Sequence, residues 1–465
     1  MFPGYGFSEQ PRTRHKRQSV PRGSGYVMPR VSARRAILCL LPLLGVLAVI
    51  ALWPSAKKVL MSPTEPPTQQ QALVLRPTVD QPMPEEVTYN DWPWYLSGKR
   101  PWYMTGGSDG TSPERTKLFP GENPLSDRIE EQLLYAPVTK RTKLILVFNG
   151  FRTWSNIKAG PSAFSSCPVK DCMLTANKGE AVKADAILFN EHFSNPGIAR
   201  PLGQVWILYM LECPYHTQHI KQNDVFNWTA TYRRDSDIVT PYEKWVFYDK
   251  EVKYLTMRRN YALNKTKKVA WFVSNCGARN NRMQYAHELQ KHIEVDIYGA
   301  CGTKKCPRSK PERCFDMLNT DYKFYLAFEN SNCQDYITEK FFVNGLGNNI
   351  IPIVMGARQE EYARSAPLRS FIHVDEFDSP KALADYLHVL DKDDDLYNSY
   401  FRWKGTGEFI NTHFFCRMCA LLHDRFPAKS YRDINAWWRG PGVCTTTSWK
   451  KQKSKWYTSL TQRLT

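Results

Sequence analysis

The sequence predicts an α/β protein in which two consecutive domains face a cleft, carried behind an N-terminal transmembrane helix and a stem. Three observations lead there. Short apolar runs of strand length recur from Lys143 onward, separated by stretches long enough for helices, as parallel α/β sheets require. The stretch Tyr322–Gly356, YKFYLAFENSNCQDYITEKFFVNGLGNNIIPIVMG, sets a dense polar cluster between two such runs. In α/β folds ligands sit beyond the carboxyl ends of strands, near helix N-termini, so that cluster is a candidate site. Finally, Ala36–Trp53 is an uncharged apolar run of about 18 residues, near the lower limit for a helix that crosses a bilayer.

The 465-residue chain carries a formal net charge of +18, but the excess is concentrated in two tails. Arg12, Arg14, Lys16, Arg17, Arg22, Arg30, Arg34 and Arg35 stand against Glu9 in residues 1–35. Lys450, Lys451, Lys453, Lys455 and Arg463 crowd the other end. No zinc-finger spacing or RNA-recognition signature accompanies them, which argues against a nucleic-acid partner. For residues 36–53 a secretory signal peptide is the competing reading. The run begins deep in the chain, is long for a signal peptide and lacks a small-residue cleavage site before Lys57. More basic residues precede it than follow it, so residues 1–35 are expected as a cytosolic tail and the rest in the lumen. Twelve cysteines suit an oxidising compartment. Cys39 lies in the anchor. The close groups Cys167/Cys172, Cys301/Cys306/Cys314 and Cys416/Cys419 favour disulfides over zinc, because no second CxxC stands at finger spacing. The pairing stays open, with at least one thiol left over. Sequons at Asn227 and Asn264 fit the same compartment.

Residues 54–140 are rich in Pro, Gln, Ser, Thr and Gly with scattered Trp92, Trp94 and Trp102, a composition that reads as a stem. A first domain over 141–260 has strands at KLILVFNG (143–150), ADAILFN (184–190) and QVWILYMLE (204–212), each rich in β-branched or aromatic residues. The mixed segment 226–260 reads as a bridge. A second domain over 261–430 begins with a strand in VAWFVSN (269–275), a helix over Asn280–His292 and a strand at VDIYG (295–299). After the Tyr322–Gly356 unit come a strand in FIHVDEF (371–377) and a helix from Ser379 to Leu390, with Ser379 as N-cap and Pro380 in the first turn. Residues 431–465 are a basic C-terminal extension. No internal sequence repeat relates the two domains.

Several residues could do chemistry. Arg279 and Arg282 follow a strand where a helix begins, a place where cations oppose the helix dipole unless an anion such as a pyrophosphate joins them. A surface arginine on a loop leaves the same trace. Lys340 follows the next apolar strand, and two cations at neighbouring strand ends could hold a diphosphate without a metal. Neither GxGxxG nor GxxxxGK[ST] occurs, which excludes ordinary dinucleotide and P-loop sites. Asp235 and Asp237 form an Asp-x-Asp that could hold a divalent ion, yet the adjacent Arg233 and Arg234 could pair with both acids. Glu212 ends the strand QVWILYMLE, ahead of Cys213, His216 and His219. A carboxylate there is placed for function, and partial burial would raise its pKa towards general-base range. A surface glutamate at a strand end gives the same pattern.

The segment FENS…DYITEK, with Asn330, Tyr336, Glu339 and Lys340, resembles the signature of the α1,3-fucosyltransferases. FNWTATYRRDSDIVTPY (226–242) and VAWFVSNCGARNNRMQY (269–285) resemble two further segments of that family, in the same order. The resemblance covers roughly residues 140–420 and implies a GT-B-type fold of two Rossmann-like domains: acceptor-binding over 141–260, GDP-fucose-binding over 261–430. It implies an inverting transfer in which Glu212 is the general base and Arg282 and Lys340 stabilise the departing GDP. Asn330 and Tyr336 would contact the nucleotide, and Glu339 the ribose or fucose hydroxyls. No tightly bound cofactor is implied: GDP-fucose is the donor substrate, and a divalent metal would stimulate without being required. Lewis-type members carry Ser after the catalytic glutamate, where this chain has Cys213. That departure, the CPVKDC at 167–172 and the Trp-rich basic tail from Trp437 are similar to the invertebrate core enzymes. These act on the innermost Asn-linked GlcNAc of N-glycoproteins. The expected product is therefore core α1,3-fucosylated N-glycan, made by a single-pass type II protein of the Golgi membrane. A Lewis-type transferase acting on terminal lactosamine and an inactive lectin-like scaffold are the alternatives.

Overall fold

The computed structural model describes residues 118–119 and 126–450, apart from 155, 258, 308–310 and 425–428. The anchor expected at 36–53, the tail before it, the stem tryptophans and residues 451–465 lie outside the described residues. Among those described, no helix is long and apolar enough to cross a membrane.

After a short helix, α1 (Ile129–Leu134), comes a five-stranded sheet. It contains β1 (Lys143–Val147), β2 (Cys172–Thr175), β3 (Ala186–Asn190), β4 (Val205–Met210) and β5 (Trp228–Thr231), all parallel, in the order β2-β1-β3-β4-β5. A connecting strand, β6 (Lys244–Phe247), leads to a second five-stranded parallel sheet. This one holds β7 (Lys267–Phe272), β8 (Val295–Tyr298) and β9 (Tyr322–Phe328), followed, after the two-residue β10 (Asn332–Cys333), by β11 (Ile351–Met355) and β12 (Ile372–His373). Its order is β12-β11-β9-β7-β8. Each sheet, taken in chain order, sets its second strand on one side of the first and its third on the other. The sequence shows no repeat, but the topology repeats. Both are doubly wound sheets, and the switch points lie where β1 parts from β3 and β7 from β9. β3, β9 and β11 are buried at every position, as strands covered on both faces must be, which explains their continuous apolar runs.

The helices of the second half are α2 (Arg282–Gln290), α3 (Pro311–Thr320), the single turn α4 (Glu339–Phe341), α5 (Gln359–Ser365), α6 (Pro380–Lys392) and α7 (Asp394–Asn398). α6 starts as its sequence predicts. The Ser379 hydroxyl accepts from the Ala382 amide at 3.1 Å, and Leu383, Ala384, Leu387 and Leu390 form a helical stripe in the core of the second sheet.

Three expectations change. The end of the expected stem belongs to the folded body: Leu118, Ile129 and Leu133 are buried, and the Gln132 amide donates to the carbonyls of Leu118 and Asp237 at 2.8 and 2.7 Å. The supposed bridge at 226–260 contributes β5 to the first sheet and β6 to an antiparallel pair with β13 (Gly407–Ile410). The second domain, expected to run to 430, gives up its last helix to the first. In α8 (Phe414–Leu422), Phe415, Met418 and Leu421 lie in the core of the first sheet, with disulfides Cys167–Cys416 and Cys172–Cys419 fastening them there. The C-terminal extension is packed as well, as far as it is described. Ile434 and Trp438 of α9 (Ile434–Arg439) fill the core on the first sheet's other face. β14 (Cys444–Thr445) pairs with β10 and shares the Cys333–Cys444 disulfide. The remaining disulfides, Cys276–Cys301 and Cys306–Cys314, are local. By chain entropy, closing the 249-residue span from Cys167 to Cys416 is worth on the order of 5–6 kcal/mol. The neighbouring bond closes nearly the same loop and adds far less.

Candidate active site

The carboxyl ends of β3 and β4 carry two glutamates. Glu191 follows β3 in the left-handed backbone region (φ 63°), a conformation that costs energy for a residue with a side chain. It turns the carboxyl across to accept the Leu211 amide at 2.9 Å, fixing the chain one residue before Glu212. Burial pushes Glu191 up to about 7, against the pull of the Leu211 amide and with a further push from Glu212.

Glu212 is itself held from both halves of the molecule. Its Oε1 accepts from the Cys213 amide at 2.8 Å, from the Tyr336 hydroxyl at 2.8 Å and from the Asn330 side-chain amide at 3.2 Å. His216 Nδ1 stands 3.6 Å from the same oxygen. The expectation of a raised pKa is overturned. Burial does push the carboxyl up, but His216, the Cys213 amide, Tyr336 and Asn330 together outweigh it and hold the group down at about 2. In turn the Cys213 thiol and then the Glu212 carboxylate push the His216 imidazole up to about 10.

The polar turn after β9 is built on Glu329, which is fully buried. Its carboxylate accepts the Thr338 amide at 2.8 Å, the Thr338 hydroxyl at 2.9 Å and the Lys340 ammonium at 3.1 Å. Burial pushes Glu329 up, with Lys340 opposing. Lys340 also donates to Thr338 Oγ1 at 2.8 Å and to Glu339 at 3.1 Å, and the two carboxylates hold it above the ordinary lysine range although burial alone would lower it. Gly356 permits the arrangement, because a Cβ there would come within 2.6 Å of Glu329 Cγ. Asp335 (φ 56°) then turns the chain so that Tyr336 reaches the first half, and its own carboxylate accepts the Arg234 amide at 3.0 Å. The buried Tyr336 ring lies 5.1 Å from that of Tyr232.

Of the two arginines at the start of α2, Arg282 is buried. It donates to the carbonyls of Phe328 at 2.7 Å and Asn275 at 3.0 Å, and so ties the ends of β7 and β9 together at the switch point. Its Nε and the Oδ1 of Asn330 are buried polar atoms without a partner among the described residues. Such atoms call for an explanation, and a bound ligand is one. Arg279 is the exposed cation, its guanidinium 5.3 Å from the ring centre of Tyr215, three residues beyond Glu212.

The expected site residues therefore fall into two groups. Glu212, Asn330 and Tyr336 are in direct contact, while Glu339 and Lys340 gather on Glu329, whose preceding carbonyl holds Arg282. Asn330 and Tyr336, whose implied place is at the nucleotide, both donate to the candidate base. Sequence reading missed Glu191, for which no pattern exists, and the anchoring role of Glu329, which its place between two apolar strands could have signalled. The Asp-x-Asp does not fit a divalent ion. Asp235 is gripped by Arg233 at 2.9 and 2.6 Å and by the Trp437 indole at 3.1 Å. Asp237 accepts from the Thr229 amide, the Tyr431 hydroxyl and Lys429.

Comparison with known proteins bears on the same residues. Residues 140–243 match the family described as "Fucosyltransferase, N-terminal", and residues 262–437 match "Glycosyltransferase family 10 (fucosyltransferase) C-term". The chain is 56% identical over 383 residues to the Drosophila melanogaster protein named glycoprotein 3-alpha-L-fucosyltransferase A, covering 77% of this chain and 76% of that one. It is 38% identical over 316 residues to the Homo sapiens 3-galactosyl-N-acetylglucosaminide 4-alpha-L-fucosyltransferase FUT3, covering 64% and 83%. A crystal structure of an alpha1,3-fucosyltransferase with GDP-fucose superposes loosely, at TM-score 0.42 and 16% identity over 65% of this chain and 99% of that one. The two family matches, joined across both halves of the site, and the extended identity to the Drosophila protein establish that the chain belongs to the glycosyltransferase family 10 fucosyltransferases.

Proposed function

We propose that the protein transfers L-fucose from GDP-β-L-fucose, with inversion, to the innermost Asn-linked GlcNAc of N-glycans in an α1,3 linkage. The higher identity to a glycoprotein transferase than to the lactosamine-type relative supports the core acceptor over the Lewis one. The observation that carries the reaction is the pinning of Glu212 from both halves. Three donors converge on Oε1, two of them from the turn after β9, which leaves Oε2 for the acceptor hydroxyl. Glu212 takes that hydroxyl's proton as the oxygen forms a bond to fucose C1. The bond from C1 to the β-phosphate oxygen breaks on the opposite face, and GDP leaves with the electron pair. Lys340 and Arg282, at neighbouring strand ends, offset the growing charge in a site they already occupy, so little reorganisation is needed. Glu339 serves the ribose or fucose hydroxyls, and the unpartnered Asn330 Oδ1 and Arg282 Nε are places where substrate groups would bond. In this reading the two doubly wound halves are the acceptor and donor domains of a GT-B-type transferase. Residues 36–53 anchor it in the Golgi membrane with the catalytic part in the lumen.

The test pairs two acceptors with one variant. Full-length protein is incubated with GDP-fucose and either a trimmed N-glycopeptide or a lactosamine glycan. Transfer to the glycopeptide is expected; transfer only to lactosamine sinks the core assignment. Glu212→Gln should lower kcat by about 10²- to 10⁴-fold while GDP binding, measured by calorimetry, stays near that of the parent. Lost GDP binding would instead mark Glu212 as a structural group.

A further inference from the structure

The proposed base belongs to a cluster whose thiol and imidazole fucosyl transfer does not use. A carboxylate oxygen of Glu212, the Cys213 sulfur and a ring nitrogen of His216 all lie within 4.8 Å of one another. His216 Nδ1 is 3.3 Å from Cys213 Sγ and 3.6 Å from Glu212 Oε1. Zinc bonds of about 2.0–2.1 Å to nitrogen or oxygen and about 2.3 Å to sulfur give tetrahedral edges of roughly 3.3–3.6 Å. The two distances lie within about 0.3 Å of such edges, the sulfur one shorter and the oxygen one longer, on a single turn of chain. The donor types matter as much as the spacing. Thiolate and imidazole select zinc-like ions over the oxygen-seeking magnesium or manganese, and one carboxylate with one thiolate balances a divalent charge.

The surroundings suit that use. Cys213 is the one free thiol among the described residues, the others there being joined in disulfides. Ser331 Oγ lies 3.0 Å from its sulfur and can donate to a thiolate from outside the coordination sphere. His216 keeps 36% of its side-chain surface exposed, which opens a route for an ion from solvent. Hydrogen bonding holds the three groups together without an ion, and the same separations bring three strong metal ligands of different type within reach of one centre.

We propose that Glu212, Cys213 and His216 form a binding site for a thiophilic divalent cation of the zinc type, and that filling it shuts the transferase off. The second half of this statement rests on Glu212 being the base. As the ion binds, the thiol and imidazole release their protons to solvent, and the ion takes up the carboxylate that would otherwise receive the acceptor's proton. A fourth position is left for water.

Cobalt(II) is the probe, added to full-length protein carrying Cys39→Ala so that Cys213 is the free thiol reported. The expected result is a near-ultraviolet thiolate-to-cobalt band that saturates at about one ion per chain and is bleached by zinc. Transfer, measured against each protein's own metal-free rate, should fall with zinc and return with chelator. Cys213→Ser should remove the band and raise the zinc needed for half-inhibition by about tenfold or more. His216→Asn, at a partly exposed position that leaves the core untouched, should weaken both in parallel. No band in the parent, or a band that survives Cys213→Ser, overturns the site. A normal band with zinc-insensitive transfer overturns the shut-off while leaving the site. A parent that binds cobalt but transfers no fucose to any acceptor refutes the reading of Glu212 as the base, and with it the shut-off, but not the metal site.

Discussion

The two halves of the molecule share one strand order and differ in what they place beyond the carboxyl ends of their strands. The first sheet ends in carboxylates, Glu191 and Glu212, one held near neutrality and the other held ionised. The second ends in cations, Arg279, Arg282 and Lys340, with Glu329 buried beneath as their counterweight. In the proposed reaction this repeated architecture serves opposite tasks, removing a proton on one side and receiving an anion on the other. The scaffold decides where chemistry happens, and the residues just past the strand ends decide which chemistry.

The largest effect is expected at Lys340. Lys340→Met strands the Glu329 carboxylate and should cost about 3 kcal/mol in a urea titration, with GDP affinity lost as well. Adding Glu329→Gln removes the stranded charge. Stability should then recover while GDP binding does not, and joint recovery of both would deny the second half its anion-binding role.

A smaller effect is expected in the first half. The Glu191 carboxyl, raised from 4.5 to about 7, binds its proton more tightly folded than unfolded. The stability this contributes is complete below about 4.5 and is lost as pH rises through about 7. Glu191→Gln should flatten that slope, worth about 2 kcal/mol after allowance for its partial exposure, in melting curves taken across the interval. An unchanged slope would remove Glu191 from the titration. The smallest test uses one sequon from each half. Asn227 is engaged at both ends of its amide, accepting from the Trp206 amide and donating to the Lys429 carbonyl at 2.8 Å each, whereas Asn264 is exposed. Glycopeptide mass spectrometry should find sugar on Asn264 and little on Asn227. The reverse pattern would mean that Asn227 gives up those contacts during synthesis.

Much of this was legible in the residues. Fully covered strands such as β3 and β9 announce themselves as apolar runs, and α6 carries its cap and stripe in its own sequence. Glu212, Arg282 and Lys340 stood out by type and position, and the family resemblance added Asn330, Tyr336 and Glu339. What failed was whatever depends on distant partners. The strand β2 is short and exposes Met173, so it lacks a strand's usual run. The assignment of α8 to the first half depends on contacts some 250 residues away in sequence, at separations of 249 and 247 for its two disulfides. The direction of the Glu212 pKa was misjudged because four groups converge on it, His216 and the Cys213 amide close by and Tyr336 and Asn330 more than a hundred residues on. Burial can be guessed from a strand end, but converging donors cannot.

The return of α8 to the first sheet also sets an order of events at the ribosome. Chains emerge N-terminus first, and domains usually fold as they appear. Here the first half is made before Phe415, Met418 and Leu421 exist to complete its core, and Cys167 and Cys172 wait for partners made some 250 residues later. The second half, with its core almost wholly its own, can close in the meantime. The half translated first is therefore the half finished last. A nascent chain stalled before residue 414 would present an intact second half and a first half with its core exposed to chaperones.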